Sequence, residues 1–172
     1  MIRSTAALGG TLLVVGALQA SSYNVQQGHR AIIFDKFSGV KAEVVKEGLH
    51  FLVPLVQVPI IIDIRARPTS CKVTVNTKDN RRVTVSLRII TQPQEADLPA
   101  LYEKLGKDFT QRVIPSLATE AVKKVVPKYS TRDALNKRDN LTKELNDILV
   151  ERAASFHLVV HGISIINLHF EE

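Results

Sequence analysis

From Ser4 to Gly28 the chain carries no charged side chain, with Arg3 before this run and His29-Arg30 after it. Its centre, Ala6 to Ala20, reads AALGGTLLVVGALQA. A bilayer core of roughly 30 Å needs about 20 mostly apolar residues at helical rise. The strongly apolar part is shorter than that, but Ser4, Thr5, Ser21, Ser22 and Tyr23 extend it at little cost. A membrane anchor over residues 1–22 fits the length and the flanks best. Its anchoring side chains would be Leu8, Leu12, Leu13, Val14, Val15 and Leu18, and Tyr23 would take the interface position favoured by aromatics. A cleaved secretory signal is an alternative, with Ala17-Leu18-Gln19-Ala20 offering small residues for the cut. A core or surface helix is another. A mitochondrial transit peptide should be richer in arginine than the single Arg3. Gly9, Gly10 and Gly16 with neighbouring alanines make a small-residue face on which a partner helix could pack.

The remainder, residues 23–172, is about the size of one domain. It reads as a β-rich part followed by a helical one. Ala31-Ile32-Ile33-Phe34 is a short apolar run closed by the turn Asp35 to Gly39. Val40 to Val45 follows, and Lys46-Glu47-Gly48 makes a second turn. Phe51 to Ile62, FLVPLVQVPIII, is too short to span a bilayer, and Pro54 and Pro59 stop it from being a regular helix. It reads either as a pair of buried or edge strands separated at the prolines or as an apolar ridge resting on a membrane. Next, Cys71, Val73 and Val75 alternate with polar residues. Beyond the turn Thr77 to Arg81, Val83, Val85, Leu87 and Ile89 do the same. This is a hairpin with one dry face and one wet, basic face.

The helical part opens with Glu95 to Leu105, ending at Gly106. Phe109 to Val126 is a second helix, with Pro115 expected in its first turns or at a kink. Ser130 and Asp133 resemble a capping box opening a third helix, striped by Leu141, Leu145, Ile148, Leu149, Ala153 and Phe156. Leu158 to Phe170 alternates imperfectly but favours a strand through its isoleucines. The expected fold class is therefore α+β: an N-terminal transmembrane helix, then a mainly antiparallel sheet packed with about three helices.

Chemistry is sparse. The one cysteine, Cys71, excludes a disulfide-stapled module and a multi-cysteine zinc site. It sits among apolar neighbours on a strand, which describes a buried, unreactive thiol. No phosphate loop and no G-x-S-x-G elbow occurs. His157 and His161 are four apart but straddle a helix end without partner ligands. No catalytic, cofactor or metal set emerges.

The formal net charge is +6. Arg65, Arg67, Lys72, Lys78, Arg81, Arg82 and Arg88 crowd the β-rich part without interleaved aromatics, which disfavours nucleic acid. Near anionic lipid, each such cation is worth about 1 kcal/mol. A solvated face balanced by acidic neighbours is the other reading. Membrane-surface contact would fall on Phe51, Leu52, Leu55 and Val56, with Arg65 and Arg67 beside them in sequence.

The strings Tyr23-Asn24-Val25, Gly28 to Asp35 and Glu47-Gly48-Leu49-His50-Phe51 resemble the opening of a prohibitin. So do Pro59 to Pro68, Arg112-Val113-Ile114-Pro115-Ser116 and Glu151 to Phe156. The resemblance runs from Tyr23 to Phe170 in the family's order and spacing. It implies the stomatin–prohibitin–flotillin (SPFH, Band 7) type of domain, anchored in the inner mitochondrial membrane and facing the intermembrane space. It further implies a non-enzymatic scaffold with a chaperone-like role, which organises membrane proteins and lipids. The implied partners are a paralogous prohibitin subunit, membrane lipid and a membrane-bound AAA protease. The alternative is a short accessory subunit packed into a larger mitochondrial membrane complex. Family members continue past the position of Glu172 into a coiled coil, so the sequence corresponds either to a naturally short relative or to a chain cut at the domain's end. The Tyr23 segment is closer to one prohibitin type, and the segments at Glu47 and Ile64 to the other. The Lys78 to Arg82 turn is more basic than the family's usual one.

Overall fold

The computed structural model describes residues 22–170 and separates them, after Ile64, into two compact units. The anchor side chains Leu8, Leu12, Leu13, Val14, Val15 and Leu18 lie outside the described residues. Among the described residues, no helix is long and apolar enough to cross a membrane.

The first unit is built from five strands. β1 (Ser22–Val25) pairs antiparallel with β4 (Gly48–Phe51), and β2 (His29–Asp35) lies between β3 (Gly39–Val45) and β5 (Gln57–Asp63), antiparallel to both. Proline explains part of this layout. Pro54 falls in the turn between β4 and β5, as the sequence suggests. Pro59, expected to break a strand, instead sits inside β5 opposite Ile33. It is tolerated because β5 is an edge strand, where a missing N–H costs no ladder bond. The buried apolar set of this unit is small: Val25, Ala31, Ile32, Ile62 and Ile64.

The second unit joins one three-stranded antiparallel sheet to four helices. β7 (Arg82–Pro93) is central, flanked by β6 (Arg67–Asn76) and β8 (Leu158–Phe170). The two units therefore do not divide where the composition turns from β-rich to helical. The expected hairpin belongs with the helices, because its dry face, Val83, Val85, Leu87 and Ile89, needs their apolar sides for cover. The helices are α1 (Leu98–Leu105), α2 (Phe109–Val125), α3 (Thr131–Asn136) and α4 (Arg138–Ala154). Gly106 ends α1 with φ +77, a conformation glycine adopts without a side-chain clash.

Two expectations about the helices change. Pro115 does not lie in the first turn; α2 runs through it from Phe109 to Val125. The third helix is in fact two. Ser130 caps α3, its hydroxyl oxygen accepting from the Asp133 N–H at 3.2 Å, and the backbone leaves helical geometry at Lys137. The stripe Leu141, Leu145, Leu149, Ala153 steps by four. Extended backward it falls on Lys137, a cation with no place in the core, so α4 starts its own turn there. The imperfect alternation of Leu158 to Phe170 also has a cause. The register between β7 and β8 shifts twice, at Ser86/Leu87 and at Ile90/Thr91, and each extra residue flips the parity of those after it.

Candidate membrane-contact site

Two turns at one edge of the first unit hold large apolar side chains away from its core. After β2, the Asp35 carboxylate Oδ1 accepts the N–H of Phe37 at 2.9 Å and of Ser38 at 3.4 Å. That fixes an Asp-anchored turn closed by Gly39 at φ +82. The Phe37 N–H is also the main reason the Asp35 carboxyl lies below the usual carboxylate range. Before β5, the Gln57 side-chain oxygen accepts the Val53 N–H at 3.1 Å, and the Gln57 N–H donates back to the Val53 carbonyl at 3.0 Å. The Lys36 N–H then donates to the Val56 carbonyl at 3.0 Å, tying the two turns together.

On these turns Phe37 and Leu55 are each 88% exposed. Phe34 and Val58, directly opposed across β2 and β5 next to the turns, are exposed as well, as are Phe51 and Val53. Withdrawing one such side chain from water is worth roughly 1.5–3 kcal/mol, so a cluster of them on ordered turns signals an interaction surface. Leu55 adds a second cost. Its φ of +74 lies in the left-handed region, which a residue with a Cβ enters at about 1–2 kcal/mol. A side chain both strained and solvent-exposed contributes nothing to the folded unit by itself.

The expected contact residues fall as follows. Phe51 ends β4 and is exposed; Leu52 and Val56 are half-buried; Leu55 is at the tip. Arg65 and Arg67 open the second unit, exposed and each with a polar or charged partner. Phe37 is the residue that sequence reasoning missed. Its signal was present: a phenylalanine inside an otherwise polar turn has no periodicity to bury it.

Other candidate groups do not assemble. Among the described residues, no group of three or more His, Cys, Asp or Glu could hold a metal ion. His157 Nδ1 lies 3.0 Å from an Asp97 carboxylate oxygen, whereas His161 meets the Gln92 side chain at 2.7 Å. Cys71 is half-buried on β6, and burial pushes its thiol up, away from the reactive thiolate. In the first unit, Tyr23 and His50 face each other across the β1–β4 pair, ring centres 5.8 Å apart. They border a groove of about 400 Å³ shared with Glu43, Lys46 and Phe51.

Residues 23–172 match the SPFH domain / Band 7 family. Prohibitin 1 of Mus musculus is 42% identical over 155 residues, covering 90% of this chain and 57% of its own length. Mitochondrial prohibitin complex protein 1 of Caenorhabditis elegans is 42% identical over 161 residues, covering 94% and 58%. Prohibitin-2, mitochondrial, of Arabidopsis thaliana is 40% identical over 163 residues, covering 95% and 56%. The chain thus spans somewhat more than half the length of the curated relatives it matches.

Proposed function

Because this chain belongs to the SPFH domain / Band 7 family and, within it, to the prohibitins, we propose that it is a non-enzymatic, membrane-anchored scaffold subunit. Residues 1–22 are its anchor, and residues 23–172 the domain held beside the lipid surface. The observation that carries this reading is the pair of linked turns displaying Phe37 and Leu55. Phe51, Leu52 and Val56 lie along the same stretch of chain and complete the contact of the first unit; Arg65 and Arg67, at the start of the second unit, are proposed separately as cations for anionic headgroups. The mechanism is physical. Anchor and turns fix the domain at the surface, and contacts with a paralogous subunit build a fence that restrains neighbouring proteins and lipids.

The names of two relatives, Mitochondrial prohibitin complex protein 1 and Prohibitin-2, mitochondrial, support a mitochondrial setting. We place the domain on the intermembrane-space side of the inner membrane, within reach of a membrane-bound AAA protease. Two measurements test the proposal. Carbonate extraction should leave the protein in the membrane pellet, and free release sinks the anchor. Sizing in mild detergent should give a large assembly of this chain with a close relative. Comigration with unrelated subunits would instead favour an accessory subunit of a larger complex.

A further inference from the structure

The strands β6, β7 and β8 contain no Asp or Glu from end to end. Their buried face is covered, since Val83, Val85, Leu87 and Ile89 of β7 are each at most 1% exposed. The opposite face is open and can be read row by row from the register. Ile90 stands opposite Pro68 on β6 and Gly162 on β8. One row on, Arg88 stands between Ser70 and Ser164; one row further, Ser86 lies between Lys72 and Asn167. Lys72 and Arg88 are thus diagonal neighbours, both exposed, and neither forms an ion pair among the described residues. Like charges this close across strands repel. Ile90, 38% exposed, and Val159, 43% exposed, give the same face an apolar end beside the cations.

We propose that this face docks an extended acidic polypeptide segment in which an apolar residue is followed, at two-residue steps, by two carboxylates. Rows on the sheet repeat about every 6.8 Å along a strand, and same-side side chains of an extended peptide repeat at the same spacing. One register therefore seats the apolar residue by Ile90 and the carboxylates by Arg88 and Lys72. The neighbouring hydroxyls and Asn167 supply further polar partners. Polypeptide is favoured over single-stranded RNA because the one Phe, Tyr or Trp of the three strands, Phe170, is paired with buried Val83 and lies on the other face, so the open face has no large ring on which bases could stack. It is favoured over a bilayer because the exposed apolar residues are spread apart, Ile90 and Val159 at one end and Ile166 at the bulge between Ser164 and Asn167, with the Arg88 row between them, rather than gathered on a projecting tip. The inference is independent of the membrane contact proposed for the first unit.

The test uses the full chain in mild detergent and a fluorescein-labelled peptide of leucine, serine, glutamate, serine, glutamate and serine, read by fluorescence anisotropy. We expect binding that weakens between 50 and 300 mM salt, and about tenfold loss in the Lys72→Glu/Arg88→Glu double variant. A peptide with lysine for both glutamates should bind that variant better than it binds the native chain, which also shows that the variant is folded. Ile90→Ser should weaken the native interaction severalfold. The proposal is overturned if the glutamate peptide binds no better than its glutamine counterpart, or if charge reversal leaves its affinity unchanged. It is equally overturned if phosphatidylglycerol vesicles or oligouridylate displace the peptide and depend on Lys72 and Arg88 more strongly than the peptide does.

Discussion

Leu55 shows how a single position serves a surface rather than a fold. Its left-handed backbone costs about 1–2 kcal/mol and its side chain is 88% exposed. Leu55→Asn, which tolerates that conformation, should raise stability in urea unfolding by about 0.5–1 kcal/mol while weakening association with lipid vesicles. A stability loss would mean that Leu55 packs in the folded unit after all. A second residue-scale case is the Tyr129 hydroxyl, which donates to the Glu144 carboxylate at 2.7 Å. The bond pushes the Tyr129 pKa up and, with help from Lys128, pulls that of Glu144 down. The Glu144 contribution is complete above its unfolded pKa and fades as pH falls through the lowered folded value. The Tyr129 contribution is complete below its ordinary value of 10.0 and fades as pH rises through the raised one. Tyr129→Phe should therefore cost most near neutral pH, about 1 kcal/mol given that Glu144 is 43% exposed. The urea midpoints of the two proteins should converge at acid pH, once Glu144 is protonated in both folded and unfolded states, and again at alkaline pH, once Tyr129 is ionised in both. Neither feature was legible in the sequence, because a backbone dihedral and a contact between residues 15 apart are products of the fold.

Elements were legible wherever one face of a strand or helix is buried. The alternation of Val83, Val85, Leu87 and Ile89 gives β7, and the four-residue stripe of α4 gives its buried side directly, because burial selects one face and leaves the other to charge. Legibility failed where a local rule was overridden by neighbours. Pro59 stays in β5 because of its edge position, and the two bulges of β8 spread its apolar residues over both parities. The break between α3 and α4 was readable in principle, since the stripe runs backward into Lys137. The hairpin tip could not be read: the Thr131 N–H donates to the Asp79 carboxylate at 2.8 Å and the Lys78 N–H to the Tyr129 carbonyl at 3.0 Å, joining segments some 50 residues apart. An element-scale prediction follows from α4. Leu145 is fully buried in the stripe, so Leu145→Ala should destabilise the chain by about 2–5 kcal/mol through lost burial and a cavity. Leu135→Ala, on the exposed side of α3 at 54%, should cost under about 1 kcal/mol in the same thermal melt.

For the molecule as a whole, charge and exposed apolar surface are divided between the two units. Residues 22–64 carry four Lys and Arg against four Asp and Glu, whereas residues 65–170 carry eighteen against eleven. The composition read as a basic protein is thus a neutral unit with exposed apolar turns and a strongly basic one with a carboxylate-free sheet. Two surfaces built on different forces must respond differently to salt. Exposed charges lose their reach when the screening length falls from about 10 Å at 0.1 M salt to about 3 Å at 1 M, whereas apolar transfer does not weaken. An environment-sensitive dye on Ser38→Cys, beside Phe37 and in a Cys71→Ser background, should therefore shift to the blue on lipid vesicles by the same amount at 0.1 and 1 M salt. Phe37→Ser together with Leu55→Asn should abolish the shift at both concentrations. A shift that disappears at high salt would show that the first unit is drawn to lipid by charge, for which its equal numbers of acids and bases provide no source.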